Sequence, residues 1–256
     1  MLVKALCLLI TALTNLVCCR PPASAKTVSS KEDKIQAENP LTDVNLDIIS
    51  QITVLATTSY LLLMILADYF QDIPAIQQLC ILKSWHIAVV ILNIASVLLR
   101  RWSYKTLDRF FTYQLTIRPG HQLVKTGPYR YLRHPSYTGL LVNFVGTFGF
   151  IYYEGLWDVF VAFATRIAAY FVHHKTPMLS TIALLSPFSP HVAGAGFPDI
   201  TLGLSSGVWL ILIFTALFIY LMWARIVVEE EMLRRHFKAE WDTYAKARWR
   251  IIPFVF

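Results

Sequence analysis

Charge is scarce in this chain: Asp, Glu, Lys and Arg make up only 15% of its 256 residues, against 56% hydrophobic. Soluble domains carry roughly 25% charged residues, and a mean hydropathy of +0.52 excludes an ordinary soluble globular fold. No set of segments alternates apolar and polar residues with period two, which speaks against a membrane β-barrel. Cysteine is also sparse. Cys7, Cys18, Cys19 and Cys80 show neither metal-ligand spacing nor a disulfide framework, so no metal site is expected.

What the chain has instead is long apolar runs, at residues 2–17, 48–66, 79–99, 138–157 and 207–224, with a shorter one at 159–172 that carries Arg166. Runs of this length cross a bilayer as helices. The expected fold is all-α, a polytopic integral membrane bundle of about five to seven spans ending in a cytosolic amphipathic helix. Leu233, Phe237, Trp241 and Tyr244 recur at intervals of four, four and three, which predicts one apolar helical face packed onto the domain.

The formal charge of +7 is unevenly placed. Arg100, Arg101, Lys105, Arg109, Arg118, Lys125, Arg130 and Arg133 crowd one segment between runs, and Arg225, Arg234, Arg235, Lys238, Lys246, Arg248 and Arg250 crowd the C-terminal one. Basic loops stay in the cytosol, and basic stretches hugging membrane spans read as lipid-headgroup contacts rather than nucleic-acid contacts. Lys4, its apolar run and Ala23-Ser24-Ala25 resemble a secretory signal. Cleavage there would put the segment from Arg100 on the wrong side, so an uncleaved first helix is expected. Run 159–172 then either lies in the interface or pairs with a second weak span near 178–185.

The densest polar cluster is His121–Gly139, with two histidines, three tyrosines, three basic residues and two prolines at the start of an apolar run. Polar groups at a membrane boundary are costly to desolvate unless they bind something. A belt of Arg and Tyr anchors is the competing reading. His134-Pro135 predicts a helix beginning at Pro135, whose free N–H groups suit an anion such as a carboxylate. Arg225 and Glu229, four apart, meet on one helical face below the last span, with Glu230 and Glu231 beside them. Anion holders together with acids and aromatic rings match a cationic, amino-acid-bearing cofactor such as S-adenosylmethionine. No Gly-rich strand-to-helix fingerprint accompanies them, so a soluble Rossmann-type methyltransferase domain is not expected.

At these residues the chain resembles the isoprenylcysteine carboxyl methyltransferase family, integral membrane enzymes of the endoplasmic reticulum. The matching positions are His121, Leu123, Val124, Gly127, Tyr129, Arg133, His134, Pro135, Ser136, Tyr137, Gly139, Arg225, Glu229, Glu230, Pro253 and Phe254. The resemblance implies an S-adenosylmethionine-dependent protein-S-isoprenylcysteine O-methyltransferase. Its partners would be farnesylated or geranylgeranylated CaaX-type protein C-termini and membrane lipid, and its active site would face the cytosol. It implies cofactor contacts from Gln114, His121, Gln122, Leu123, Val124, Tyr129, His134, Pro135, Ser136, Tyr137 and Glu229, with Arg225 as the catalytic residue that binds the substrate carboxylate. It divides the chain into N-terminal helices at 1–103 and a methyltransferase region at 104–256, with an insertion at about 154–206 that the family lacks. The family's Phe-Phe-Gly is here His236-Phe237-Lys238. A phospholipid N-methyltransferase-like enzyme and a non-catalytic membrane scaffold are the alternatives. The site is complete only if the two halves meet across the insertion.

Overall fold

The computed structural model describes residues 1–20, 46–111, 117, 120–173 and 206–253. Eight helices order it: α1 (Leu2–Cys19), α2 (Leu46–Ile65), α3 (Pro74–Leu79), α4 (Ser84–Leu107), α5 (Pro135–Ile151), α6 (Trp157–His173), α7 (Ser206–Phe237) and α8 (Ala239–Lys246). Among the described residues, four are long and apolar enough to cross a membrane: Leu2–Cys19, Leu46–Ile65, Ser84–Phe110 and Gly207–Phe237. The 17 residues of α5 sit at the short end of the spanning range, and α5 runs alongside α4. This is the helical membrane bundle that the hydropathy predicts.

Helix limits depart from the apolar runs in an instructive way. Hydropathy stops at Arg100, yet α4 continues through Arg100, Arg101 and Lys105 to Leu107. Likewise α7 carries Arg225, Glu229 and Glu230 just beyond the apolar stretch and continues to Phe237. The basic residues 100–105 are therefore helical, not part of a connecting loop. Run 79–99 begins late as a helix because Pro74 starts the separate short α3. His86 Nδ1 then accepts the Lys83 N–H at 2.8 Å and caps α4.

Cys18, Cys19, Leu46, Val97, Leu140 and Met222 cluster at one end of the bundle, so α1, α4 and α7 finish where α2 and α5 begin. At the other end Tyr60, Met64, Ile76, Leu79, Phe150 and Ile151 pack together, and the buried Lys4 reaches the Gln78 carbonyl at 3.4 Å. Alternating direction of this kind matches the parity expected with α1 in the bundle. The α5 helix ends at residues 152–156, where Glu154 adopts a φ of +49° and the chain turns into α6. Arg166 of α6 pairs with Asp72 in the loop before α3, so the first half of α6 lies along that same end. Residues 178–185, the other half of the expected pair of weak spans, fall outside the described residues.

Lipid offers no hydrophobic drive between helices, so small residues and buried hydrogen bonds hold them. A Cβ on Gly139 would meet the Ser96 carbonyl oxygen at 2.7 Å, and one on Gly146 would overlap the Asn93 side chain. These two glycines, two turns apart, let α5 seat directly on α4. Asn93 donates to Thr147 Oγ1 at 3.3 Å, and Asn15 of α1 donates to Asn143 Oδ1 at 3.2 Å. Further on, α7 and α5 stack Phe218 on Phe144, with ring centroids 4.0 Å apart.

The expected single apolar face over 233–244 is broken. Lys238 has a φ of +49° and separates α7 from α8, so Leu233 and Phe237 lie on one helix and Trp241 and Tyr244 on the next. A left-handed non-glycine residue costs on the order of 1–3 kcal/mol, and Lys238→Gly is expected to raise the unfolding midpoint of the detergent-solubilised protein. Gly139→Val is expected to destabilise it by about 1–3 kcal/mol, read in the same melt. Gly149→Ala, whose Cβ would meet nothing within 4 Å, should leave the midpoint almost unchanged.

Candidate active site

At the end of the bundle where α5 begins, a cavity opens with an empty volume of about 1120 Å³, mouth included. Among its lining residues are His121, Gln122, Leu123, Val124, Tyr129, His134, Ser136, Tyr137, Arg225 and Glu229. The structure thus brings together ten of the twelve residues expected from the sequence. Pro135 is buried at the first turn of α5, behind this wall. Gln114 lies outside the described residues.

Glu230 joins the two halves of the site. Its carboxylate accepts from Arg133 Nη1 at 3.0 Å, from His134 Nε2 at 3.1 Å, and from Arg250 Nε and Nη2 at 3.1 and 2.8 Å. Residues 248–251 run as a strap beside 131–134. The Arg133 and His134 amides donate to the Trp249 and Arg250 carbonyls, and the Trp249 amide donates to the Tyr131 carbonyl. Thr138 Oγ1 adds a bond to the Ile251 carbonyl at 2.7 Å. Nothing in the periodicity of the sequence signals this strap.

Arg225 and Glu229 share a face, and Tyr137 of α5 bridges them. Arg225 Nε donates to the Tyr137 hydroxyl at 2.8 Å, and that hydroxyl donates to Glu229 Oε2 at 2.7 Å. His134 also stands 3.6 Å from Glu229 through Nδ1, so both ring nitrogens face carboxylates. A neutral imidazole would turn a lone pair toward one of them, so the charged ring is favoured. Burial works against that charge, but hydrogen bonds and attraction from Glu229 and Glu230 prevail, and the His134 pKa rises above its ordinary value.

At the start of α5, where Pro135 carries no N–H, the first helical bonds converge on one carbonyl. The Tyr137 and Thr138 amides both donate to the His134 carbonyl. Several further residues that the sequence does not single out for the site also line the cavity. Arg100 and Tyr104 come from the charged end of α4, and Trp241 from α8. Leu233 and Tyr244 of the supposed packing face line it too, and Tyr244 Oη donates to the Tyr129 carbonyl at 3.1 Å. The broken helix at Lys238 is what swings Trp241 and Tyr244 toward the site.

Residues 87–177 match the model of the isoprenylcysteine carboxyl methyltransferase (ICMT) family. The resemblance read from the sequence is borne out. The chain is 32% identical over 102 residues to the protein-S-isoprenylcysteine O-methyltransferase B of Arabidopsis thaliana, a match covering 37% of this chain and 50% of that protein. It is 26% identical over 61 residues to the uncharacterised protein YpbQ of Bacillus subtilis, covering 24% of this chain and 36% of that one. The matches span half or less of the length of these relatives. No solved structure matches the chain.

The raised His134 pKa sets a pH dependence. Stability gained from the charged ring is fully present below its ordinary value of 6.5 and is lost as pH rises through the elevated folded value. The gap in unfolding midpoint between wild type and His134→Gln should therefore be widest below about pH 6.5 and narrow in alkaline buffer. A gap that grew with pH would contradict the charged assignment.

Proposed function

We propose that this protein methylates the C-terminal carboxylate of a prenylated cysteine at a membrane, with S-adenosylmethionine as the methyl donor. The observation that carries this reading is the chain Arg225–Tyr137–Glu229 on the cavity wall, in a protein that resembles the isoprenylcysteine carboxyl methyltransferase family.

The donor set fits the cofactor. The Glu229 carboxylate and the rings of Tyr104, Tyr129 and Tyr137, all on the wall, suit a cationic sulfonium. His121, Gln122, Leu123, Val124 and Ser136 would enclose the rest. When bound, S-adenosylmethionine supplies an electrophilic methyl group. An α-carboxylate has a pKa of about 3.3–3.7 and is already ionised near neutral pH, so the residues need not remove a proton from it. Their work is positioning, which can supply roughly 7–11 kcal/mol. Arg225 would hold the carboxylate with one oxygen free. Leu140, Met222, Met232 and Leu233 line the same cavity and would exclude water from a step in which opposite charges are neutralised. An amine acceptor such as a phospholipid would first have to lose a proton. His134, held protonated between two acids, is not suited to accept it.

We place the methyltransferase region at residues 104–256, in the endoplasmic reticulum membrane with the cavity open to the cytosol, because the basic residues gather at the cavity end. The prenyl chain would enter from the bilayer between helices, and the cofactor from the cytosol. In membranes expressing the chain, labelled S-adenosylmethionine should transfer its methyl group to a farnesylcysteine analogue and not to phosphatidylethanolamine. Arg225→Ala and Glu229→Ala should each reduce transfer by at least 100-fold, the scale of removing one preorganised charge-stabilising contact, with membrane insertion intact. Full activity in either variant would sink the assignment.

A further inference from the structure

Arg100 is 5% exposed and lines the cavity, yet every partner of its guanidinium is neutral. Nε donates to the Cys18 carbonyl at 2.7 Å, and Nη1 donates to the Ser136 carbonyl and hydroxyl at 3.0 and 2.8 Å. Its charged carbon lies 5.0 Å from the centre of the Tyr104 ring. Among the described residues no carboxylate pairs with it, Nη2 has no protein partner, and that nitrogen is not sealed from open space. The neighbouring partly buried arginines have acids close by: Arg133 and Arg250 share Glu230, and Arg225 is coupled to Glu229 through Tyr137. A buried cation without a counter-ion is unstable unless something supplies the negative charge.

We propose that Arg100 is an anion-binding residue of this cavity, offering Nη2 to a carboxylate of the bound ligand. The proposal rests on the function argued above, in which two molecules bring such a group: the methionyl end of S-adenosylmethionine and the prenylcysteine. Arg100 is well placed for the task. Three helices fix its fork, since α4 carries it, the C-terminal carbonyl end of α1 holds one edge, and Ser136 at the start of α5 holds the other. The carbonyl end of a helix favours a cation, and a preorganised planar fork loses little entropy on binding a carboxylate.

The test is equilibrium binding to the full-length protein in nanodiscs, wild type against Arg100→Gln and Arg100→Lys. The probes are S-adenosylmethionine, its decarboxylated analogue, farnesylcysteine and farnesylcysteine amide. One charge-assisted bond should change affinity by roughly 10- to 100-fold. Arg100→Gln should weaken one carboxylate-bearing ligand by that factor while leaving its carboxyl-free counterpart unchanged, and which pair shows the difference identifies the source. Wild-type protein needs no folding control, and it should itself prefer that carboxylate-bearing probe over its counterpart. If wild type binds these ligands but shows no such preference, or Arg100→Gln weakens both members of each pair equally, the Arg100 assignment is overturned and the function stands. If wild type binds none of the four, both fall.

Discussion

Glu230 is the group on which the site depends. It sits on α7, only 13% exposed at its side chain, and collects Arg133, His134 and Arg250 from two segments far away in sequence. A carboxylate desolvated to that extent persists only if its lone pairs are filled by well-placed donors, and here four donor contacts fill them. The same bonds bring residues 129–139 against α7 and draw the strap 248–251 over both. Without the Glu230 hub, Tyr137 has no reason to lie between Arg225 and Glu229. The stretch between α5 and α7 does not keep these two helices apart, because the hub at one end and the Phe144–Phe218 stack along their length join them independently of the connection.

Charge at this end of the bundle is arranged by subtraction. Cations outnumber acids in both basic segments, and each buried acid is matched with more than one cation or hydroxyl. Glu230 offsets two arginines and the imidazolium, and Glu229 faces that ring, the Tyr137 hydroxyl and, through it, Arg225. What is left over is positive and lies on the cavity wall. A bilayer-embedded protein keeps such an imbalance only where it serves a function. The polar seam of Asn15, Asn93, Asn143 and Thr147, all at most 3% exposed, plays a different part. Its bonds are between neutral groups, and it locks α1, α4 and α5 at mid-length with no excess charge to satisfy.

Much of this was legible in the sequence, and the reasons it was not complete are physical. Spanning segments announce themselves through hydropathy, because the bilayer demands about 20 apolar residues at once. The ends of those helices do not, since Arg and Glu side chains can leave the apolar zone while the backbone remains helical. Arg100 therefore read as one more headgroup anchor, and only its burial against Cys18 and Ser136 distinguishes it from Arg101 next door, which is exposed. The pairing of Tyr137 with residues some 90 positions later was accessible through the family pattern of motifs, not through spacing. Glu229 and Glu230 were adjacent candidates, and their different partners follow from the helical turn of 100° between them. The strap had no signature because a single row of backbone bonds imposes no periodicity. The left-handed break at Lys238 was hidden for a related reason: the intervals of three and four continue across it, so the pattern imitates one helix where there are two.

The placement of Tyr137 ties the architecture to the chemistry. A hydroxyl has one proton to give, and here it goes to Glu229, while the oxygen accepts from Arg225. The phenol thus ties the acid and the cation together on the cavity wall. On the proposed reading this adjacency is the requirement, since one ligand group is cationic and the other anionic, and each must meet its opposite in a confined, water-poor space. The rigidity that keeps the phenol between them comes from the Gly139 contact that seats α5, and Tyr137 with it, on α4.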